Sequence, residues 1–290
     1  MRVLVTGARG QVGSEIVAEF DRRNGGRNAR ARFDVIGASH DELDVAKRDA
    51  VQALVRTFEP DVIIHPAAFT AVDACETEVA RAFSVNFVGT RHLAEAAASI
   101  GAHLCYLSTD YVFDGTLDRP YLEWDDPNPQ SIYGRSKLAG ERALDASSTI
   151  VRTSWVCGQQ GANMLKTILR LVDQSDDPLR FVNDQHGCPS FAKDLAPTII
   201  DLAISRHRGV FHVTNQGPTT WFDFAKAIAG YAGADPGRVE PITTDELVPP
   251  RPAKRPKNSV LENAALRVIG NSLLPDWHDS AERLVHQLRA

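Results

Sequence analysis

The stretch "RVLVTGARGQVG" (residues 2–13) decides the fold of this chain, because an apolar run leads directly into a glycine-rich turn. Gly7, Gly10 and Gly13 have the spacing G-x-x-G-x-x-G, and an amphipathic helical pattern begins inside the turn. Glycine at a strand-to-helix turn permits a tight bend and a close approach of the backbone to a pyrophosphate, which the free N–H groups of the helix then bind. The stretch predicts a dinucleotide-binding turn; the alternative is a turn with a structural role only.

Short apolar runs and helical patterns alternate on the C-terminal side of this turn. The strands predicted in the first half span residues 2–7, 33–39, 61–68, 102–109 and 149–155. The helices predicted there span residues 11–23, 47–60, 77–101 and 133–146. Apolar strands that alternate with helices are typical of a parallel sheet covered by helices on both faces. We therefore predict an α/β fold, a Rossmann-like doubly wound parallel sheet.

The second half of the chain has a looser pattern. Its predicted elements are a strand over 209–217, helices over 161–174, 219–233 and 279–290, and an extended proline-rich, basic segment over 246–261. The expected domains are a dinucleotide-binding domain of residues 1–152, to which residues 181–211 return, and a smaller α/β substrate-binding lobe of residues 153–180 and 212–290.

The composition argues against several classes of protein. The 290 residues carry a formal net charge of −5, so bulk charge does not favour a nucleic-acid partner. No apolar run approaches the roughly eighteen residues of a membrane-spanning helix. The strand-like start of the chain leaves no room for a signal peptide. We expect a cytoplasmic protein with no membrane partner, whose four scattered cysteines are reduced structural thiols.

The residues at the end of the second strand indicate which nicotinamide cofactor the glycine turn would bind. An acid at this place binds the adenosine ribose of NAD and repels a 2′-phosphate. The strand ends at "GASH" with Ser39 and His40, where no Asp or Glu stands. Arg9, inside the glycine turn, can pair with that phosphate, although an exposed cation is the alternative. The sequence therefore favours NADPH and leaves NADH open.

Further positions around the predicted sheet are candidates for contact with the cofactor. Asp44 and Val45 follow the second strand, in a loop that can contact the edge of the adenine. Asp44 can also cap the next helix. Ala67 and Ala68 end the third strand and leave backbone exposed for the cofactor. Asn86 lies in a long helical pattern, where we interpret it as a helix-bending amide.

The motif "YGRSK" (133–137) points to carbonyl chemistry. Tyr133 and Lys137 stand four residues apart on one face of a predicted helix, after the polar strand end "STDYVFDG" (108–115). An ammonium beside a phenol lowers the phenol's pKa, and such a tyrosine can give a proton to a carbonyl oxygen while hydride reaches its carbon. Lys137 can also bind the nicotinamide ribose, and Thr109 can share the substrate oxygen. Thr109, Tyr133 and Lys137 are the predicted catalytic group, although the YxxxK pattern by itself is a common one and a weak indicator of catalysis.

The order of these motifs resembles a known family. The segments that carry the resemblance are "TGARGQVG", "LDV", "AAFTAVDACE", "STDYVFDG", "YGRSKLAGE", "RTSWV", "NDQHGCPS" and "RPKNSVL". They resemble the extended short-chain dehydrogenases/reductases and, among these, the dTDP-4-dehydrorhamnose reductase family. The resemblance implies an NAD(P)H-dependent reduction of the C4 ketone of a dTDP-4-dehydro-6-deoxy sugar, giving dTDP-L-rhamnose.

The resemblance also implies roles for individual residues. It implies catalysis by Thr109, Tyr133 and Lys137. For the cofactor, it implies pyrophosphate binding by Gly10, Gln11 and Val12, adenine contact by Asp44 and Val45, and further contacts by Ala68, Phe69 and Thr70. For the substrate, it implies sugar contact by Thr109, Asp110 and Trp155, and diphosphate contact by Arg255 and Lys257. A core aromatic is the alternative for Trp155, and exposed cations are the alternative for the last two.

Two features depart from the family pattern. Cys157 and His186 replace more usual aromatic or apolar residues near the expected sugar pocket, which leaves the particular sugar open. Some members form a magnesium-linked homodimer through glutamates. Glu15 matches one such position, but Lys193 stands where another acid is expected. We therefore predict no metal site, and leave Mg²⁺ and a homodimer open.

The residues after Thr109 help to distinguish between competing functions. Related 4,6-dehydratases need a second acid there, but Asp110 is followed by Tyr111, which favours simple ketone reduction. A reductase of another dTDP-4-keto-6-deoxy sugar, of the dihydrostreptose type, would have nearly the same motifs. A non-catalytic NADP-binding subunit resembling the β subunit of methionine adenosyltransferase is a further alternative. Intact Thr109, Tyr133 and Lys137 favour an enzyme.

Overall fold

The computed structural model describes residues 1–25, 33–175 and 177–290. Its strands are β1 (Arg2–Thr6), β2 (Asp34–Ala38), β3 (Val62–His65), β4 (His103–Thr109), β5 (Thr149–Thr153), β6 (Val156–Cys157), β7 (Leu179–Val182), β8 (His186–Gly187), β9 (Ser190–Phe191), β10 (Gly209–His212), β11 (Thr219–Thr220) and β12 (Val239–Ile242). Its helices are α1 (Gln11–Gly25), α2 (Arg48–Phe58), α3 (Val72–Cys75), α4 (Val79–Phe83), α5 (Thr90–Ile100), α6 (Ile132–Arg142), α7 (Met164–Gln174), α8 (Ala192–Ile204), α9 (Trp221–Tyr231), α10 (Ala264–Val268) and α11 (Trp277–Arg289).

Within the described residues, six strands form a parallel sheet in the order β10-β5-β4-β3-β1-β2. Side chains alternate between its two faces, as the pleat requires. Val3 and Val5 pack with α1 and α8, whereas Leu4 and Ile63 pack with α2 and α5. The strand order reverses beside β1, and a ligand crevice is expected there at the carboxyl ends of the strands. The predicted α/β fold with a doubly wound parallel sheet is confirmed.

The second half of the chain contributes to two cores. β7 pairs in parallel with β12, and α7, α9 and α11 share a buried cluster that includes Phe224 and Trp277. In contrast, α8 packs on α1, and β10 extends the large sheet beside β5. The segment 181–211 therefore begins in β7 and ends in the large sheet. The boundaries of the two lobes stay a prediction. None of the described helices is long and apolar enough to cross a membrane.

Two predicted elements differ in detail from the observed ones. The helical pattern over 77–101 is divided into α4, a π-helical segment (Ser84–Gly89) and α5, and the π-helical segment directs Asn86 into the protein. The interpretation of Asn86 as a helix-bending residue is confirmed. The strand predicted over 209–217 ends at His212, because the Thr214 N–H donates to the side chain of Asn263 at 2.9 Å instead of to a neighbouring strand.

Candidate active site

The glycine turn leaves no room for side chains. Gly7 has φ +60°, and a Cβ on it would lie 2.9 Å from the Ala67 Cα. A Cβ on Gly13 would overlap the Gly7 carbonyl oxygen. The three glycines therefore leave bare backbone near the start of α1, where N–H groups and the helix dipole attract an anion. These residues fit a dinucleotide pyrophosphate.

Gln11 connects this turn to the second half of the chain. Its Oε1 accepts hydrogen bonds from the Gly158 N–H at 2.8 Å and from the Asn163 Nδ2 at 2.9 Å. Asn163 in turn caps α7, since its side chain accepts from the Lys166 N–H. The first residue of α1 thus fixes the loop that precedes α7.

A cleft of about 960 Å³ follows the carboxyl ends of the strands from this turn. The predicted site residues that line it are Gly7, Arg9, Gly10, Gln11, Val12, Gly13, Asp44, Val45, Ala67, Ala68, Phe69, Thr70, Thr109, Asp110, Tyr133, Lys137 and Trp155. Arg255 is not among the described residues that line the cleft. The fold thus brings the predicted cofactor residues and the predicted catalytic residues into one cleft.

The loop after β3 is fixed by Asn86. The Phe69 N–H donates to the Asn86 Oδ1 at 2.8 Å, and the Asn86 Nδ2 donates to the Phe69 carbonyl at 3.1 Å and to the Ser136 Oγ at 2.9 Å. A single buried amide therefore connects this loop to α6, the helix of Tyr133. The sequence indicated the bend at Asn86 but not these bonds.

Helix α6 begins against the loop after β4. Ser131 caps it by accepting from the Gly134 N–H at 3.1 Å, and the Ile132 N–H donates to Glu76 at 2.8 Å. A Cβ on Gly134 would overlap the Tyr111 carbonyl oxygen, so this glycine allows close packing. Tyr133 and Lys137, one turn apart, are both buried beside the cleft.

The electrostatics of this pair differ from the prediction. The Lys137 Nζ donates to the Leu107 carbonyl at 2.6 Å and lies 4.0 Å from the Tyr106 ring. Burial lowers the pKa of Lys137 to about 7, against the opposing charge of Glu141. Burial also raises the pKa of Tyr133 above its usual value, although a hydrogen bond with Thr109 acts in the opposite direction. The prediction of a lowered phenol pKa is therefore wrong, because desolvation raises the pKa of Tyr133 more than hydrogen bonding lowers it.

Thr109 and Asp110 end β4 with a buried polar pair. The Thr109 Oγ1 donates to the Asp110 Oδ1 at 2.9 Å and accepts from the Tyr111 N–H at 3.2 Å. Burial raises the pKa of Asp110 to about 6. The Asp110 Oδ2 and the hydroxyls of Ser108 and Thr153 have no hydrogen-bond partner among the described residues, although all three are buried. All three residues line the cleft.

Ser108 and Thr153 were missed by sequence reasoning. Thr153 is the register partner of Thr109 on the neighbouring strand, so its position next to Thr109 follows from the strand order. That order was not predicted, and although the quoted segments "STDYVFDG" and "RTSWV" contain these residues, neither was given a role of its own.

Trp155 leaves β5 with a left-handed backbone, φ +46°, which is uncommon for a bulky residue. Its indole stacks on Trp221 with ring centroids 3.5 Å apart and planes 6° apart, and both rings line the cleft. A Cβ on Gly187 would overlap the Trp155 ring, so a glycine allows this placement. Trp221 was missed, because the sequence showed it only as part of an amphipathic helix.

Arg255, Lys257 and Asp44 have identifiable partners. The Arg255 guanidinium donates to both Asp73 oxygens at 2.9 Å, which fixes the basic segment to α3. The Lys257 carbonyl accepts from the His186 N–H at 2.7 Å. Asp44 accepts from the Ala46 N–H at 3.0 Å. The alternative role of Asp44 as the cap of α2 is wrong, because Lys47 occupies the cap position.

The sequence model of the RmlD substrate binding domain family matches residues 1–290. The dTDP-4-dehydrorhamnose reductase of Sinorhizobium fredii is 39% identical over 301 aligned positions, which cover 99% of this chain and 98% of that protein. The chain belongs to the dTDP-4-dehydrorhamnose reductase family. The resemblance inferred from the motifs is confirmed.

Solved structures of dTDP-4-dehydrorhamnose reductases agree in fold. A crystal structure from Clostridium acetobutylicum has a TM-score of 0.92 at 40% identity and covers all of both chains. A crystal structure from Bacillus anthracis, in complex with NADP, has a TM-score of 0.91 at 37% identity and covers 99% of both chains.

The two departures from the dTDP-4-dehydrorhamnose reductase pattern lie outside the cleft lining. Cys157 is buried in the core that α7, α9 and α11 share. His186 is exposed, and its carbonyl accepts from the Ser259 N–H at 2.8 Å. The expectation that they lie near the sugar pocket is not supported by their positions, since neither is among the described residues that line the cleft.

Proposed function

We propose that this protein reduces the C4 ketone of a dTDP-4-dehydro-6-deoxy-L-sugar, converting dTDP-4-dehydrorhamnose to dTDP-L-rhamnose with NADPH. The observation that carries the proposal is the joint placement of Thr109, Tyr133 and Lys137 in the same cleft as the glycine turn. Full-length similarity to proteins named dTDP-4-dehydrorhamnose reductase supports the substrate class.

The glycine-turn side of the cleft is proposed to hold the cofactor. The proposed contacts are Gly7, Arg9, Gly10, Gln11, Val12 and Gly13 for the phosphates, Asp44 and Val45 for the adenine, and Ala67, Ala68, Phe69, Thr70, Tyr133 and Lys137 for the remainder. Bound NADPH supplies the hydride for the ketone carbon. The NADP complex of the Bacillus anthracis reductase supports this choice of nucleotide.

The chain itself supplies the proton and the orientation of the ketone. The raised pKa keeps Tyr133 protonated at neutral pH, the form that can donate to a ketone oxygen. The Thr109 hydroxyl, which lines the same cleft as Tyr133, is proposed to orient that oxygen. Lys137, held by the Leu107 carbonyl, is proposed to position the cofactor beside Tyr133. The raised pKa also means that proton transfer must be driven by the charge that develops on the ketone oxygen.

The opposite wall is proposed to hold the sugar nucleotide. Asp110 offers one buried carboxyl oxygen without a partner among the described residues, and Trp155 offers an aromatic ring. Arg255 is proposed for the diphosphate, which requires its guanidinium to exchange Asp73 for the ligand. We further propose that the dinucleotide-binding domain and substrate lobe have the boundaries given above, and that the protein is cytoplasmic and can form a homodimer. Light scattering of the purified protein tests the homodimer.

A coupled assay tests the reaction. NADPH absorbance is followed after addition of dTDP-4-keto-6-deoxyglucose, with and without a 3,5-epimerase. Turnover that requires the epimerase is the expected result, and analysis of the product then identifies the reduced sugar. A different sugar product would indicate a reductase of the dihydrostreptose type. Binding of NADPH without turnover on either sugar would favour a non-catalytic subunit and overturn the proposal.

A further inference from the structure

A second tryptophan, Trp221, lines the cleft beside Trp155. Trp221 is the first residue of α9, and its indole lies parallel to the Trp155 indole, with ring centroids 3.5 Å apart and planes 6° apart. Aromatic rings prefer an offset or edge-to-face contact to such a face-to-face sandwich. The left-handed backbone of Trp155, φ +46°, is also unfavourable for a bulky residue. The surrounding fold therefore imposes the stack, and strain of this kind is a feature of functional sites.

Both faces of the Trp155 ring are covered by protein. Trp221 covers one face, and a Cβ on Gly187 would come within 2.7 Å of the Nε1 and Cζ2 atoms of the ring. Because Trp221 fills the first face, Gly187 lies against the opposite one. The strand β8 holds Gly187 there by pairing with β11, which immediately precedes α9. The Trp155 indole is thus enclosed between Gly187 and Trp221, and a ligand in the cleft can reach only its edge.

Trp221 is anchored to a rigid core and still borders the cleft. Its ring meets Phe224 at a steep angle with centroids 6.0 Å apart, and Phe224 meets Trp277 at 5.4 Å inside the buried cluster. Thr220 caps α9 by accepting from the Asp223 N–H at 3.0 Å, which fixes the start of the helix. Trp221 is half-buried, and it lines the cleft. The aromatic surface of the stack that a ligand can reach therefore belongs mainly to Trp221.

The chemistry of the proposed substrate suits this ring. A 6-deoxy sugar carries C–H groups on its ring and a methyl group at C5, and burial of such apolar area against an aromatic wall is favourable. We propose, on the basis of the proposed reductase function, that Trp221 is a substrate-binding residue whose indole packs on the apolar C–H surface of the deoxysugar, supported from behind by Trp155 and Gly187. The alternative is that Trp221 only completes the core that Phe224 and Trp277 share.

Trp221→Leu and Trp221→Phe test this role in the full-length enzyme. Leucine offers no aromatic face, so the KM for the dTDP-4-dehydro sugar and the dissociation constant of dTDP-L-rhamnose should each rise about tenfold. The kcat should stay within about twofold of the wild type, because the contact is the same in the ground state and the transition state. Phenylalanine should restore most of the affinity. Trp124→Leu, at an exposed tryptophan outside the described cleft lining, is the matched control and should change neither constant.

Calorimetry with dTDP alone separates the sugar from the nucleotide, and the affinity for dTDP should be the same in the wild type and both Trp221 variants. Equal losses for dTDP and dTDP-L-rhamnose would place the ring against the nucleotide and overturn the inference. Wild-type affinities in Trp221→Leu, or a lower kcat and Tm at an unchanged KM, would leave only the core role and also overturn it. If the wild type turns over in the coupled assay, these results reject the role of Trp221 alone. A wild type that neither reduces nor binds a dTDP-sugar rejects the proposed reaction as well.

Discussion

The two ends of the cleft are built from different parts of the chain. The turn end (Gly7, Gly10, Gly13 and the first turn of α1) consists of backbone, because side chains at its glycines would meet other backbone atoms. The strand end (Thr109, Asp110, Tyr133 and Lys137) consists of buried side chains with polar atoms. The turn end offers N–H groups whose charge distribution is fixed by the helix. The strand end holds groups whose protonation depends on burial.

The two ends of the cleft are therefore sensitive to different kinds of substitution. A change at the turn end alters shape and should affect binding of the cofactor, whereas a change at the strand end alters a proton or a charge and should affect chemistry.

Tyr133→Phe should separate the two ends most clearly. It removes the proposed proton donor but keeps the ring that meets Tyr111 edge-on at 5.6 Å. We expect kcat to fall by about a thousandfold, within the range of general-acid effects, while the affinity for NADPH stays near the wild-type value. Steady-state kinetics and calorimetry measure both quantities, with Tyr231→Phe as a control far from the cleft. A loss of kcat below tenfold would remove Tyr133 from the mechanism.

Gly13→Ala should affect the turn end instead. Its new Cβ would overlap the Gly7 carbonyl, so the turn must distort. We expect the affinity for NADPH to fall about a hundredfold, near 2.7 kcal/mol. Gly230→Ala is the control, since its Cβ would make an ordinary contact at 3.4 Å with Pro236. Unchanged affinity in Gly13→Ala would show that the turn does not depend on glycine at this position.

The same contrast explains what could be predicted from sequence. The turn and the strands of the first half have local signals, namely glycine spacing and apolar runs, and Tyr133 and Lys137 are recognised by their spacing. The fold class followed from these signals, whereas Phe69, Thr70 and Trp155 were assigned to the cleft only through the family resemblance. What could not be predicted depends on contacts between distant residues. The Arg255–Asp73 pair joins residues 182 positions apart, and the direction of the Tyr133 pKa shift depends on burial.

Lys137→Met tests burial as the dominant effect at the strand end. The unfolded chain holds the lysine proton up to about pH 10.5, whereas the folded protein releases it above about pH 7. Raising the pH through this window therefore favours folding of the wild type. We expect the variant to have a Tm about 5 °C higher at pH 6, with the advantage shrinking toward pH 9.5. Thermal denaturation at several pH values measures this. An advantage that is the same at every pH would contradict a buried, readily discharged lysine.

Asp110→Asn has the smallest expected effect and the opposite dependence on pH. An unfolded aspartate ionises near pH 3.8, but burial raises the pKa of Asp110 to about 6 in the fold. Between these values the unfolded chain loses its proton first, so raising the pH destabilises the wild type. An asparagine has no charge to bury, so we expect the variant to match the wild type near pH 4 and to exceed its Tm by about 3 °C at pH 7. Asp245→Asn, on an exposed 3₁₀ turn (Thr244–Glu246), is the control for removing one acid. Equal Tm differences at pH 4 and pH 7 would mean that folding leaves the pKa of Asp110 unchanged, and burial would then not control the charge of this part of the strand end.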